Sequence, residues 1–409
     1  MVTGGPEPGP DPTPLSPAIL AIHTVFPQHR YPQDTLTDLI ADMCLPAGAD
    51  QRALRRLHAS STVQARHLAL PIEQYARLDD FGRSNDAWIG AAVELGEEAV
   101  AGALAQAGLR PDDVDLVACV SVTGLAVPSV DARLALRMGM RQDVKRLPLF
   151  GLGCVAGAAG LARVHDFLRG HPTGVAVLLA VELCSLTLQR GDGSAANLVA
   201  GALFGDGAGA VVAVGSAHPK AQPKAQPEAQ PTSDRPGSRT SAGTAAPATT
   251  ATTPAAPHKR SRRAHGPRII ATRSTLYPET EHVLGWEVGA SGFRVVLTAD
   301  VPDLVRAHLR HEVCAFLGEH GLVLGDIATW VCHPGGPKVV EAVGESLGLA
   351  ESALAPTWRS LAAVGNLSSA SVLHILQSVE ESARPAPGSW GIMLALGPGF
   401  CSELVLLRW

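Results

Sequence analysis

Three polar side chains each sit in a glycine-punctuated turn of their own. Cys154 lies in Phe150-Gly151-Leu152-Gly153-Cys154-Val155-Ala156-Gly157. His333 lies in Trp330-Val331-Cys332-His333-Pro334-Gly335-Gly336-Pro337. Asn366 lies in Gly365-Asn366-Leu367-Ser368-Ser369-Ala370. A thiol, an imidazole and a carboxamide can supply a nucleophile, its base and a donor to a developing oxyanion. None of the three would define a reaction class alone.

Each residue also has a plainer reading. Cys154 precedes a helical pattern, and a helix N-terminus lowers a thiol pKa through its aligned peptide dipoles. Most free cysteines, however, are small buried hydrophobes, and six others compete here. His333 follows an apolar strand and precedes Pro-Gly-Gly-Pro, which places an imidazole at a strand's carboxyl end. The chain has 15 histidines, so its context selects it and its rarity does not. The spacing around Asn366 alone favours a helix N-cap. Its amide is equally a neutral, pH-independent donor suited to an oxyanion.

The elements that must position these groups read as an α/β chain. Helical periodicity runs over 86–107, 154–168, 302–320 and 366–380. Apolar strands are predicted at 114–122, 175–181, 327–332 and 390–396. Cys154 opens a helix that leads to an apolar strand, and Asn366 does the same further on. That echo predicts two similar halves with both helix N-termini near a shared pseudo-twofold axis. Gly205-Asp206-Gly207-Ala208-Gly209 lacks the lysine of a phosphate loop and reads as a tight turn between core elements. Leu396-Gly397-Pro398-Gly399-Phe400 reads as a turn where backbone comes close to a neighbour.

Composition sets the limits. Hydrophobic residues make up 46% of the 409 and charged residues 17%, enough for a sizeable core. A net charge of -5 gives no reason to expect a nucleic-acid partner. The seven cysteines are scattered, with no C-x-x-C, which argues against a metal site or a disulfide framework and for a reducing cytoplasm. No apolar run has the length of a membrane span. Residues 1–17 read as a disordered arm, and 216–267, rich in Pro, Ala and Thr, as a disordered insertion. The basic cluster Lys259-Arg260-Ser261-Arg262-Arg263 reads as a solvated run, with a scaffolding role for the insertion as the rival. The globular halves are then 18–215 and 268–409.

Together these segments resemble the type III polyketide synthases, the chalcone and stilbene synthase family, and Leu284-Gly285-Trp286-Glu287-Val288 with Gly292-Phe293-Arg294-Val295-Val296-Leu297 looks like the bacterial members. The pieces are Gly153-Cys154-Val155-Ala156-Gly157, Ala202-Leu203-Phe204-Gly205-Asp206-Gly207-Ala208, His333-Pro334-Gly335-Gly336-Pro337, Gly365-Asn366-Leu367-Ser368-Ser369-Ala370 and Gly397-Pro398-Gly399-Phe400. The resemblance implies a thiolase fold, five αβαβα layers from two similar halves, assembled as a homodimer. It implies Cys154 as the nucleophile that carries thioesters, with His333 and Asn366 binding the thioester carbonyl and the enolate left by decarboxylation. Phe204 matches an aromatic gatekeeper. Val295 stands where plant members have a second gatekeeper phenylalanine, and Trp286 where they have a glycine at the cavity floor. Threonines of the plant cavity fall on Val122 and Cys184, while Thr123 and Thr187 keep a hydroxyl. Gly397 belongs to the C-terminal turn, and Arg56 matches a basic CoA-binding residue. Implied substrates are malonyl-CoA and an acyl-CoA starter, with no metal or prosthetic group. The implied product is a pyrone, resorcinol or phloroglucinol, and Val295 suggests a fatty acyl starter. The alternative is a ketoacyl-acyl-carrier-protein synthase III-like enzyme that condenses once.

Overall fold

A computed structural model describes residues 16–221 and 266–409. Its strands are β1 (Ala18–Val25), β2 (His29–Pro32), β3 (Ala65–Leu68), β4 (Leu116–Val120), β5 (Lys145–Leu149), β6 (Val175–Leu183) and β7 (Asp206–Val214). They continue with β8 (Arg268–Leu276), β9 (Leu284–Gly289), β10 (Gly292–Leu297), β11 (Ile327–Cys332), β12 (Trp390–Gly397) and β13 (Cys401–Arg408). Nine form one hydrogen-bonded sheet in the order β11-β12-β13-β8-β1-β7-β6-β4-β5, while β2–β3 and β9–β10 stand apart as two-stranded pairs.

The long sheet has a seam. Between β8 and β1 the ladder has the single register pair Ala18 with Arg268. Outward from that seam, β1-β7-β6-β4 and β8-β13-β12-β11 follow the same rule: two antiparallel pairings, then a parallel one. The predicted duplication is therefore present in the topology, with β5 added on one side.

Side chains alternate across each strand, so each half-sheet feeds two cores. Val177, Leu179 and Val212 face outward onto Val100 and Leu104 of the helix Phe81–Ala107. Ala176, Leu178, Ala180 and Val211 face inward, onto the helices Ala156–Gly170 and Ser371–Ser382, which also meet Met393, Ala395, Val405 and Leu407 from the other half. Ile392, Leu394, Leu404 and Leu406 face outward again, onto the helices Val301–Gly318 and Pro337–Leu347. The result is helix, sheet, helix pair, sheet, helix: the five-layer thiolase fold. The first central helix meets the turn ahead of the second so closely at Gly157 that a Cβ there would run into the carbonyl oxygen of Ser369. β6 is buried along its whole length, as a strand covered on both faces must be.

Three boundaries differ from the sequence expectations. Asp206 to Gly209 is not a turn but the start of β7, paired to β6 and β1. Its glycines admit neighbours, because a Cβ on Gly209 would stand 3.2 Å from Cβ of Leu373. The helices expected at Cys154 and Asn366 start later, after the 3-10 turns Gly153–Val155 and Ser368–Ala370. The chain also continues in defined structure past 216, to Ala221, because Lys220 Nζ donates to the carbonyls of Ala107 (3.0 Å) and Gly108 (3.2 Å) at the end of the helix Phe81–Ala107. Residues 16–17 and 266–267 are likewise ordered, Ile269 N–H donating to Pro17 O and Ile19 N–H to Pro267 O at 3.0 Å each, and the remainder of the expected arm and insertion, with the basic cluster, lies outside the described residues. Among those residues, no helix is long and apolar enough to cross a membrane.

Candidate active site

Cys154 is half-buried in the turn ahead of the first central helix, and Asn366 is buried ahead of the second. The pseudo-twofold relation thus gives one position a thiol and its counterpart an amide. Ser368 links them. Its hydroxyl lies 3.6 Å from Cys154 Sγ, and its backbone N–H donates to Asn366 Oδ1 at 2.8 Å. Ser371 Oγ donates to the same Oδ1 at 3.4 Å. The amide oxygen therefore does the capping that the spacing around Asn366 suggested, and Nδ2 is left without a hydrogen bond among the described residues. Ser368 holds a φ of +50°, a left-handed conformation uncommon for a residue with a side chain.

The Asn366 backbone is locked to the Phe204 turn. Asn366 N–H donates to Leu203 O at 2.8 Å, and Gly205 N–H donates to Asn366 O at 2.9 Å. His333 arrives from β11, its N–H donating to Leu394 O of β12 at 2.8 Å. Just beyond it, Gly336 packs on Leu203, where a Cβ would stand 3.2 Å from Cδ1. Gly397, at the end of β12, lies against the nucleophile turn: a Cβ there would stand 2.9 Å from Val155 Cγ1 and 3.0 Å from Val155 N. All three turns are thus drawn to the same end of the central layer.

Burial sets the electrostatics. It pushes the Cys154 thiol up to about 12, Glu182 adding to the effect and the Ser368 hydroxyl opposing it. Burial alone takes His333 down to about 3, and its Nδ1 is buried without a partner. The helix-terminus argument pointed the other way for Cys154. The sulfur sits in a 3-10 turn whose charge-stabilising groups are outweighed by loss of water. No hydrogen bond joins Sγ to the His333 ring among the described residues, and burial favours the neutral form of each group.

Glu182 is the charged group that the sequence reading passed over. It is fully buried. Its Oε2 accepts from Val122 N (3.1 Å), Thr123 Oγ1 (3.0 Å) and Ser121 Oγ (3.2 Å). Its Oε1 accepts from Ser369 Oγ (2.5 Å) and Ser368 Oγ (3.4 Å). Burial raises its pKa against the opposing hydrogen bonds from Ser369, Val122, Thr123 and Ser121. The available signal was one acid inside the apolar run Val175–Leu183. Arg66, also missed, is buried and ties the two turns together: Nη1 donates to Phe204 O at 2.7 Å, and its stem packs 3.0 Å from where a Gly365 Cβ would be.

Five of the residues taken from the resemblance line one open cleft, about 550 Å³ with its open mouth included: Phe204, Val295, Trp286, Cys184 and Thr187. Arg66, Tyr75, Ser185 and Asn197 are its polar neighbours. Cys184 connects the cleft to the nucleophile, since its thiol, raised first by burial, is raised further by the nearby Glu182, Asp206 and Cys154. Thr123 faces a second cleft of about 590 Å³ that shares Thr187 and Leu188 as a wall. Arg56 does not join either cleft. It is exposed on the helix Arg52–Ser60, donating from Nε to Arg52 O at 3.4 Å.

A five-layer thiolase fold with a thiol before one central helix and an amide before the other defines the class, a thiolase-fold condensing acyltransferase. The chain belongs to the chalcone and stilbene synthase family: the N-terminal domain of chalcone and stilbene synthases matches residues 15–218 and the C-terminal domain matches 268–409. It is a type III polyketide synthase, an enzyme of decarboxylative condensation. It is 57% identical to a 1,3,6,8-tetrahydroxynaphthalene synthase of Streptomyces peucetius subsp. caesius, over 96% of this chain and 93% of that protein. It is 30% identical to a putative chalcone synthase of Bacillus subtilis, over 96% of this chain and 98% of the other. Among solved structures, the 1,3,6,8-tetrahydroxynaphthalene synthase of Streptomyces coelicolor superposes with a TM-score of 0.80 at 26% identity, covering 96% of this chain and 99% of that one.

Proposed function

We propose that this enzyme builds a polyhydroxylated naphthalene from malonyl-CoA, starting from a small acyl unit. The observation that carries the proposal is the 57% identity, over 96% of this chain, with a tetrahydroxynaphthalene synthase. A naphthalene has ten ring carbons, the content of five two-carbon units.

The cleft supports a small, oxygenated chain over a fatty one. Val295 and Trp286 are register partners on β10 and β9, so their side chains share one face of the hairpin. The space left by valine is taken back by the indole opposite. The fatty acyl starter suggested by Val295 is the rival reading. Arg66 Nη2 has no hydrogen-bond partner among the described residues, and Ser185, Thr187 and Asn197 add further polar surface. A poly-β-keto chain offers such groups acceptors, whereas methylenes would leave them facing apolar matter.

In this proposal Cys154 attacks the starter thioester. The thiol proton passes through His333 to the departing CoA sulfur, so Cys154 becomes acylated and free CoA leaves as a thiol. Asn366 Nδ2 and the His333 ring then donate to the oxygen of the enolate formed as malonyl-CoA loses CO2. The enolate carbon attacks the Cys154 thioester and expels the sulfur, and the lengthened chain reloads. The substrates are CoA thioesters, and no metal or prosthetic group takes part. The working unit is a homodimer, supported by Val127, Leu136 and Phe150, which are exposed near the edge strand β5. Light scattering that gives a monomer mass would remove that part.

The test is purified enzyme with malonyl-CoA as sole substrate. The expected result is CO2 release and a tetrahydroxynaphthalene mass, with several malonyl units consumed per product. Product only when a long-chain acyl-CoA is added, or one condensation per starter, overturns the proposal.

A further inference from the structure

The hairpin β9–β10 is a separate two-stranded sheet, and an isolated hairpin has little stability of its own. Among the described residues, one side chain makes all of its hydrogen bonds to the rest of the chain. Gln189 Nε2 donates to Ser291 O at 3.3 Å and Phe293 O at 3.1 Å on the hairpin, and to Thr187 O at 3.0 Å on the cleft wall. Three carbonyl oxygens around one atom fix that atom as the amide nitrogen. Gln189 is buried, and its backbone is held on both sides by Asn197: Oδ1 accepts from Gln189 N at 3.3 Å, and Nδ2 donates to Gln189 O at 3.0 Å. The hairpin's other support is apolar, chiefly the Phe293 ring edge-on to Phe81 with centroids 5.5 Å apart.

The cleft has Thr187 and Leu188 on one wall and Trp286 and Val295 on the hairpin. One amide therefore joins both walls. We propose that Gln189 is a positioning residue that sets starter selectivity by fixing the hairpin, and with it the width of the cleft, without touching substrate. This rests on the reading that the cleft holds the growing chain. Loss of the amide leaves the aromatic contacts as a pivot, so Trp286 and Val295 swing away from Thr187 and longer starters fit.

The test is Gln189→Leu, close in volume and without donors. Competing octanoyl-CoA against malonyl-CoA alone, the ratio of octanoyl-primed to malonyl-primed product should rise about tenfold, the discrimination a hydrophobic pocket gains from a few methylenes. Decarboxylation of malonyl-CoA should stay within about threefold, since the Cys154 region is untouched. Backbone hydrogen exchange over 284–297 should quicken while the nine-stranded sheet is unchanged. A folded Gln189→Leu protein with wild-type ratio and wild-type hairpin exchange overturns the proposal. Where that variant does not fold, wild-type exchange decides: 284–297 and 184–190 should open together, separately from the large sheet, and exchange only by global unfolding overturns it. A wild type that makes no polyketide from malonyl-CoA defeats the proposed function, while the exchange measurements still judge the clamp.

Discussion

The surroundings of Cys154 and the hairpin that carries Trp286 and Val295 are built in opposite ways. Around the thiol, the helices, β6 and the Asn366 turn are buried, and Glu182 alone gathers five donors. The hairpin is half-exposed and tied by one amide. On the proposed function, chemistry that needs fixed donors falls to the buried layer, and the choice of chain to the half-exposed hairpin. Changes at the centre should therefore reduce all turnover, and changes at the hairpin should redistribute products.

The largest effect is expected from Cys154→Ala, which should lower product formation at least about a thousandfold with every starter. A change of product without loss of rate would erase the contrast. Asn366→Ala should follow, lowering malonyl-CoA decarboxylation about 100- to 1000-fold, the usual loss for one oxyanion donor. Steady-state CO2 release measures it, and a wild-type rate would leave Asn366 as a plain cap. Glu182→Ala would bury four hydroxyls and a backbone N–H without their acceptor. It should cost about 3–5 kcal/mol in urea unfolding, where an unchanged midpoint would contradict the packing described. Trp286→Ala belongs to the hairpin. It should favour longer starters about tenfold while CO2 release barely changes, and an equal fall with all starters would place the indole with the central machinery.

The smallest effect is that of pH on stability. Burial holds His333 at about 3 and His58 and His374 at about 4, against an ordinary 6.5. Each binds a proton more readily when unfolded, so the stability that they contribute is whole above pH 6.5 and is lost as pH falls toward 4. Asp206, raised to about 6, acts in the opposite sense, as do Glu182 and Glu403. The three histidines prevail, and the melting temperature should drop modestly from pH 7 to 5. A rise over that range would reverse the sign.

What could be read from the sequence followed the same division. Cys154, His333 and Asn366 stood out because small residues must surround a group that a substrate approaches, and glycine is visible in letters. The duplicated layout was legible from helix-then-strand order. The cleft residues came through the resemblance, and five of them share one cleft. Glu182, Ser368, Arg66 and Gln189 stayed hidden because their partners lie far along the chain: Glu182 is 186 residues from Ser368, and Gln189 is 104 from Phe293. Arg56 also came through the resemblance, as a match to a basic CoA-binding residue, and it lies exposed outside both clefts. The Cys154 pKa was argued from the helix terminus without the desolvation that tertiary packing imposes.

The central claim is that the half-buried thiol before the first central helix carries the chain. Rapid quenching of enzyme with malonyl-CoA, followed by peptide mass mapping, tests it directly. Acyl groups of increasing length should appear on the peptide containing Cys154 and vanish in Cys154→Ala. Acylation of another residue, or product made by Cys154→Ala, would contradict it.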